Sequence, residues 1–348
     1  MLFNKTFDQI FTFNNLYKAY KHCLKGCRKG KNQFFIQKDI INLTVLHNDL
    51  INGNYKLDKF NEFRICERGK MRNISAHSFK DRIVQKCLCD YYLVPLLSKS
   101  LIYDCGATIK GRGVSFQKKR VTAHLNKYKL NHGNKGFILT IDIHHYFESI
   151  DHKILLKLLK NRILDDKIYL LEMIINSTEK GLTLGSQISQ ICALYYINEI
   201  DHYIKEKLHI KYYGRYMDDL YLIHNDKKYL YKCFDIIVEK LHELKLLINQ
   251  SKSKVHSLEN GFIFLKVKYK LKNDKIIKLI TTKTFQSMKR KIKKGINIDT
   301  ILPSLDYISH FNCYNKYKKF RNKYLKKKKS KPKIEINYEN APIDNLQD

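Results

Sequence analysis

Apolar residues in the first 55 positions recur at spacings of three and four. They are Phe3, Phe7, Ile10 and Phe13, then Leu16, Ala19 and Tyr20, and later Ile40, Leu43, Leu46, Leu50 and Ile51. That period predicts two helices, separated by a basic loop at 26–32 and closed by Asn52-Gly53. From 56 to 75 the period drops to two, through Phe60, Phe63 and Ile65 and on to Ile74. Two strands are expected there, joined by a basic turn with Arg68, Lys70 and Arg72. Helical spacing returns over 78–97, with Ile83, Val84, Cys87, Leu88 and Tyr91 facing inward. The glycine and lysine loop at 106–113 lacks the Walker arrangement, and reads equally as a plain loop or as a backbone contact to phosphate.

A β-rich run at 136–143 ends on Asp142, and Asp151 is placed to cap a helix over 152–164 that carries Ile154, Leu155, Leu158, Leu159 and Ile163. The loop at 181–190 contains Gly181 and Gly185. It feeds one long helix whose face is Ala193, Ile197, Ile200, Ile204 and Leu208. Tyr216-Met217-Asp218-Asp219 then lies between two short runs rich in Tyr, Leu and Ile, which predicts a β-hairpin with the Asp pair at its tip. A further helix presents Leu230, Phe234, Ile237, Leu241 and Leu244, and the stretches 246–255 and 261–271 read as closing strands around Lys252. From 283 the chain is basic and helical, with Lys289 and Arg290. Over 316–333 lysines interleave with Tyr317, Phe320 and Tyr324, and the acidic stretch 335–348 reads as disordered.

The chain has 348 residues, 66 Lys and Arg against 33 Asp and Glu, and a net charge of +33. Such an excess repels itself unless the partner is a polyanion, and nucleic acid is the leading candidate. An AT-rich genome would by itself raise Lys, Asn, Ile and Tyr, which lowers the weight of the charge without removing it. No run approaches ~18 apolar residues, so no membrane span or membrane partner is expected. The first residues are not expected to act as a signal peptide. The nine cysteines include no Cys-x-x-Cys pair; Cys87, Cys89 and Cys192 read as small core residues, and a reducing cytoplasm fits best.

The chemistry lies in the order strand-Asp142, helix, glycine loop and helix, hairpin-Asp218-Asp219, helix, strand. That order fits an α+β antiparallel sheet backed by helices, a split βαβ palm that brings the three carboxylates together. Adjacent like charges at a tight turn need a cation. Hard oxygen donors suit Mg²⁺, with Mn²⁺ as the alternative, and two ions about 3.5–4 Å apart would serve in-line phosphoryl transfer. His144 and His145 are poorer ligands, because neighbours on an extended chain point opposite ways.

At these residues the sequence resembles reverse transcriptases. Tyr216-Met-Asp-Asp219 looks like the family's catalytic hairpin, and Asp142 through Phe147 like its first catalytic motif. Arg72 with Phe79 to Gln85 looks like the fingers strand and helix, and Lys252 after Asn249 like the lysine motif behind the hairpin. The resemblance implies a right-hand polymerase fold. Its parts would be N-terminal helices and fingers (1–135), a palm (136–280), a basic helical thumb (281–333) and an acidic tail (334–348). It implies that Asp142, Asp218 and Asp219 hold metal, with the Ile143 carbonyl completing the shell. Arg72, Lys70, Leu184, Gly185 and Lys252 would meet the nucleotide, and Lys252 would either protonate pyrophosphate or neutralise charge. Phe147 would be the steric gate against a 2′-hydroxyl. Ser189, Gln190, Tyr216, Met217, Lys289 and Arg290 would lie along template and primer.

Departures from the pattern refine the expectation. Leu184-Gly-Ser-Gln-Ile-Ser-Gln190 replaces the Gln-Gly-x-x-x-Ser-Pro of many retroelement enzymes. This form is similar to diversity-generating retroelement enzymes and to some phage-defence types. Ser309 and Lys266 stand where the family has Gly. No ribonuclease H, endonuclease or integrase-like stretch is read in the chain. The leading expectation is an RNA-directed DNA polymerase of a prokaryotic retroelement, in the cytoplasm. Its partners would be an RNA template, a DNA or RNA primer, dNTPs, and either a noncoding RNA or a basic accessory protein. The alternatives are a phage-defence enzyme working on a dedicated noncoding RNA or without template, and a non-catalytic nucleic-acid scaffold.

Overall fold

The computed structural model describes residues 5–25, 32–67, 70–163, 165–293 and 318. The chain forms two units, 1–265 with 271–276, and 266–270 with 277–348. The first unit takes in residues 1–265 and 271–276 of the segments expected as fingers and palm, while 266–270 and 277–280 of the expected palm fall in the second.

The N-terminal helices are α1 (Phe7–Ile10), α2 (Phe13–Leu24), α3 (Gln33–Gln37) and α4 (Asp39–Ile51). Thr12 breaks the first from the second by accepting the Asn15 N–H at the α2 N-cap. On α4 the buried stripe is Leu43, Leu46 and Leu50. Ile40 and Ile51, expected inward, lie in the first and last turns and are 51% and 37% exposed. The predicted strand pair is β1 (Asn61–Glu67) and β2 (Lys70–Ala76), antiparallel with Ile65 opposite Arg72. Helix α5 (Phe79–Leu88) continues through a five-residue π turn, Cys89–Leu93, into α6 (Val94–Leu97). A π turn inserts one extra residue and shifts the helix phase, so Tyr92 is buried rather than the expected Tyr91.

No element was expected between 114 and 135, where α7 (Val114–His132) runs for 19 residues. Its inward positions include Gln117 and His124 beside Val121, Leu125 and Tyr128, so polar side chains hide the helical period. The strand β3 (Phe137–Asp142) leads into the single turn α8 (Tyr146–Ser149) and then α9 (His152–Lys160), capped by Asp151 as expected but ending four residues early. After α10 (Asp165–Ile175), also unexpected, the long helix predicted beyond the glycine loop is two. They are α11 (Gln187–Tyr196) and α12 (Asn198–Glu206), broken at Ile197.

The hairpin is β4 (Tyr212–Tyr216) and β5 (Asp219–His224), joined by Met217-Asp218. Helix α13 (Lys227–Glu243) buries Leu230, Cys233, Ile237 and Leu241. Of the expected strand 246–255 only the end forms, as β6 (Lys254–Ser257), because the residues before it turn around Asn249. The second expected strand is interrupted at Leu265-Lys266, both left-handed (φ 45° and 65°), giving β7 (Phe262–Phe264) and β8 (Val267–Lys272), followed by β9 (Lys275–Ile280). The central antiparallel sheet has the order β4-β5-β3-β6, with α13 against β3, β5 and β6 and α7 against β4.

In the second unit the described helix is α14 (Thr282–Lys293), on which Arg290 is exposed. The expected thumb stretch 304–311, the lysine-rich 316–333 apart from Lys318, the acidic 335–348, the loop at 26–31 and Arg68 lie outside the described residues. No described helix is long and apolar enough to cross a membrane.

Candidate active site

The strands β3 and β5 pair so that Asp142 stands opposite Asp219. One residue on, the Ile143 N–H donates to the Asp218 carbonyl (3.2 Å). The apolar residues of both strands are buried on the helical layer, so their register follows from burial, and one slip would turn every side chain over. At the tip Tyr216 pairs with Asp219 across a two-residue turn in which Met217 has φ 55°.

Hydrogen bonds from the turn around Asn249 hold the backbone at Asp142. Its N–H donates to Ser253 Oγ (3.1 Å), its carbonyl accepts from the Asn249 N–H (2.7 Å), and the His144 N–H donates to the Leu247 carbonyl (2.7 Å). The turn around Asn249 thereby delivers Lys252, whose Nζ lies 2.8 and 2.9 Å from the two Asp142 oxygens. Burial, then Asp218 and Asp142, push the Asp219 carboxyl up to about 7 against the pull of Lys252. Asp218 is raised as well, by burial first and by Asp142. The hydrogen bonds that Lys252 donates to Asp142 raise its pKa and keep its ammonium charged.

Three carboxylates thus occupy neighbouring backbone positions with one ammonium among them. Among the described residues, however, no three His, Cys, Asp or Glu side chains close on a common point that would hold a metal ion. Here the geometry differs from the expected three-carboxylate shell, since both Asp142 oxygens face Lys252. The donor set still fits a hard divalent cation in kind: all oxygens, with two of the three carboxyls pushed up by burial first and then by neighbouring carboxylates. His144 and His145 do not lie on extended chain as expected. His145 is left-handed (φ 46°), the two rings lie 4.2 Å apart, and His145 Nδ1 bonds Glu148 (2.6 Å).

Phe147 is half-buried on α8, and its carbonyl accepts from the Leu182 N–H (2.8 Å). Gly181 packs backbone to backbone there. A Cβ would lie 2.6 Å from both the Phe147 carbonyl oxygen and Glu148 Cα, at a φ of +67°. The loop holding Leu184 and Gly185 is therefore fastened to the turn that carries Phe147; Leu184 is half-buried and Gly185 exposed with φ +94°. Ser186 caps α11 and donates to Gln85 Oε1 (2.8 Å), which ties the loop to α5. Ser189, expected along template or primer, is 4% exposed and bonds Thr183 (3.1 Å). Gln190 accepts from Thr108 (3.4 Å). Tyr216 and Met217 are half-buried at the hairpin. Lys70 and Arg72 are backbone members of β2 and Lys289 of α14; their side chains are outside the described set, and Arg290 is an exposed residue of the second unit.

Residues that carried no expected role are central to the hairpin. Arg215 and Asp201 form an ion pair with both side chains fully buried, joined by the Tyr213 hydroxyl. Their signal was present: Tyr213 and Arg215 alternate on one face of a strand, and a charge amid apolar strand residues demands a partner.

A family model described as reverse transcriptase (RNA-dependent DNA polymerase) matches residues 57–285. Protein YkfC of Escherichia coli (strain K12) is 23% identical over 288 residues, covering 68% of this chain and 73% of YkfC. Among solved structures, telomerase from Candida albicans in complex with a TWJ fragment of telomeric RNA has a TM-score of 0.50 at 13% identity, covering 63% of this chain and 45% of that one. Apo telomerase from Candida tropicalis, truncated from its C-terminal domain, also has a TM-score of 0.50, at 11% identity over 69% of this chain and 60% of that one. The chain spans less than two thirds of either telomerase, and the likeness is one of fold.

Proposed function

The chain belongs to the reverse transcriptase (RNA-dependent DNA polymerase) family, and from that premise we propose that it extends a primer with dNTPs on an RNA template at Asp142, Asp218 and Asp219. Its fold is α+β, of the right-hand polymerase type. The observation that carries the proposal is the register of Asp142 opposite Asp219, with Asp218 bonded through its carbonyl to Ile143.

Divalent ions, Mg²⁺ or Mn²⁺, would supply Lewis-acid stabilisation of the charge that builds on the phosphates. Asp142, Asp218 and Asp219 are the residues that would hold them, with the Ile143 carbonyl. Lys252, charged and on an exposed side chain, balances Asp142 in the resting site, and in the reaction it either neutralises the leaving pyrophosphate or gives it a proton. The Phe147 ring, half-buried on α8, is proposed to close the sugar side and so to favour deoxynucleotides. Arg72, Lys70, Leu184 and Gly185 are proposed to meet the nucleotide, and Gln190, Tyr216, Met217, Lys289 and Arg290 the template and primer. The net charge of +33 suits an RNA partner.

The form of residues 184–190 supports a prokaryotic retroelement enzyme of the diversity-generating kind, with a phage-defence enzyme as the neighbouring reading. Sequencing the nucleic acid that co-purifies with the protein separates the two. For the activity itself, purified protein given an RNA template, a DNA primer, dNTPs and Mg²⁺ extends the primer, and Asp218→Asn with Asp219→Asn abolishes extension. Full-length product from that double variant would overturn the assignment.

A further inference from the structure

Arg215 is completely buried directly before the hairpin tip. Its guanidinium is shared among three sites. Nε lies 2.8 and 2.9 Å from the Asp201 oxygens, Nη2 donates to Asp201 and to the Leu194 carbonyl (2.9 Å), and Nη1 donates to the Met217 carbonyl (3.3 Å). Leu194 belongs to the last turn of α11, where carbonyls have no partner within the helix. Two groups supply those partners: Arg215 for Leu194, and the Tyr146 hydroxyl for Ala193. Asp201 comes from the first turn of α12, after the break at Ile197, and Tyr213 donates to it from the same face of β4 as Arg215. The fork is thus fixed on one side by two helices and reaches the turn of the hairpin on the other.

Met217 is the residue that needs holding. It occupies the left-handed region at φ 55°, which costs a side-chain-bearing residue about 1 kcal/mol or more, and it stands directly before Asp218. Because Asp201 cancels the Arg215 charge within the core, the pair adds little net field at the carboxylates. Its distinctive contribution is geometric, since a planar five-donor fork can span Asp201, Leu194 and Met217 together where a lysine cannot.

We propose that Arg215 is a positioning residue for nucleotidyl transfer: anchored on Asp201 and Leu194, it holds the Met217 carbonyl and thereby the turn that sets Asp218 and Asp219. The proposal rests on the polymerase reading above. It separates fold from function, because a buried ion pair replaced by apolar side chains of similar volume is often neutral for stability or even stabilising.

The test uses the full chain, oligo(dT) on poly(A) RNA, dTTP and Mg²⁺, with two variants read by rapid quench. One combines Arg215→Met with Asp201→Leu; the other is Arg215→Lys, which leaves no buried charge unpaired. Burst amplitude counts competent molecules, and burst rate reports the positioned chemistry. Both variants are expected to keep the wild-type amplitude and KM for dTTP while the burst rate falls at least about 10-fold, the loss of one charge-assisted hydrogen bond. A wild-type burst rate in either folded variant overturns the proposal, as does a reduced amplitude at unchanged rate, which marks a purely structural pair. If the double variant does not fold, Arg215→Lys decides alone. Absence of extension by the wild-type chain removes the polymerase reading, and this proposal with it.

Discussion

Gly181 shows how a single residue couples two parts of the site. Its backbone lies against Phe147 and Glu148 at φ +67°, its carbonyl accepts from Thr178 Oγ1 (2.9 Å), and it lies 2.6 Å from His152 Nε2. A methyl group there meets backbone atoms that have no flexible end to give way. Gly181→Ala is therefore expected to lower stability by roughly 2 kcal/mol or more, read as a shift of the urea midpoint. An unchanged midpoint would mean that the loop is not fastened to the Phe147 turn. The residue was visible in the sequence only as one of two glycines in a loop, and the backbone that crowds it comes from more than 30 positions away, where no local pattern reaches. The same holds for Arg215, whose partner lies on another helix.

Elements were more legible where one side chain type filled the inward face. That holds for β3, the hairpin and α13, which follow from apolar runs or a stripe of Leu and Ile, whereas the β1–β2 pair followed from spacing alone, with Phe63 and Ile65 exposed. Helix α7 does not, because Gln117 and His124 face inward, and the split between α11 and α12 is invisible when every residue of the expected face stays buried on both sides of it. At the end of β2 the buried His77 illustrates a cost that an element carries. Its ring lies 4.7 Å from Phe60, its Nε2 has no partner among the described residues, and burial lowers its pKa to about 4. The folded chain keeps this imidazole neutral, whereas the unfolded chain takes up a proton below about 6.5. Its contribution to stability is thus whole above pH 6.5 and is lost as pH falls from there towards 4. In urea titrations across that window, His77→Phe is expected to lose less stability than the wild type as the pH falls. Parallel pH curves for the two would contradict the buried neutral imidazole.

For the whole molecule, the order of motifs along the chain carried both the family and the sheet that brings the carboxylates to one end. How those carboxylates close was not legible, because Lys252, which holds both Asp142 oxygens, arrives from a turn rather than from the expected strand. Net charge pointed to a polyanion but not to which one. The account stands on the convergence of two strands, so its most direct test lies on the strand opposite the hairpin. Single-turnover extension of a primer on an RNA template is measured for the wild type and for Asp142→Asn, together with the affinity of each for the same primer–template. The account predicts that Asp142→Asn binds primer–template like the wild type and extends it at least about 1,000-fold more slowly. Extension at the wild-type rate would contradict it.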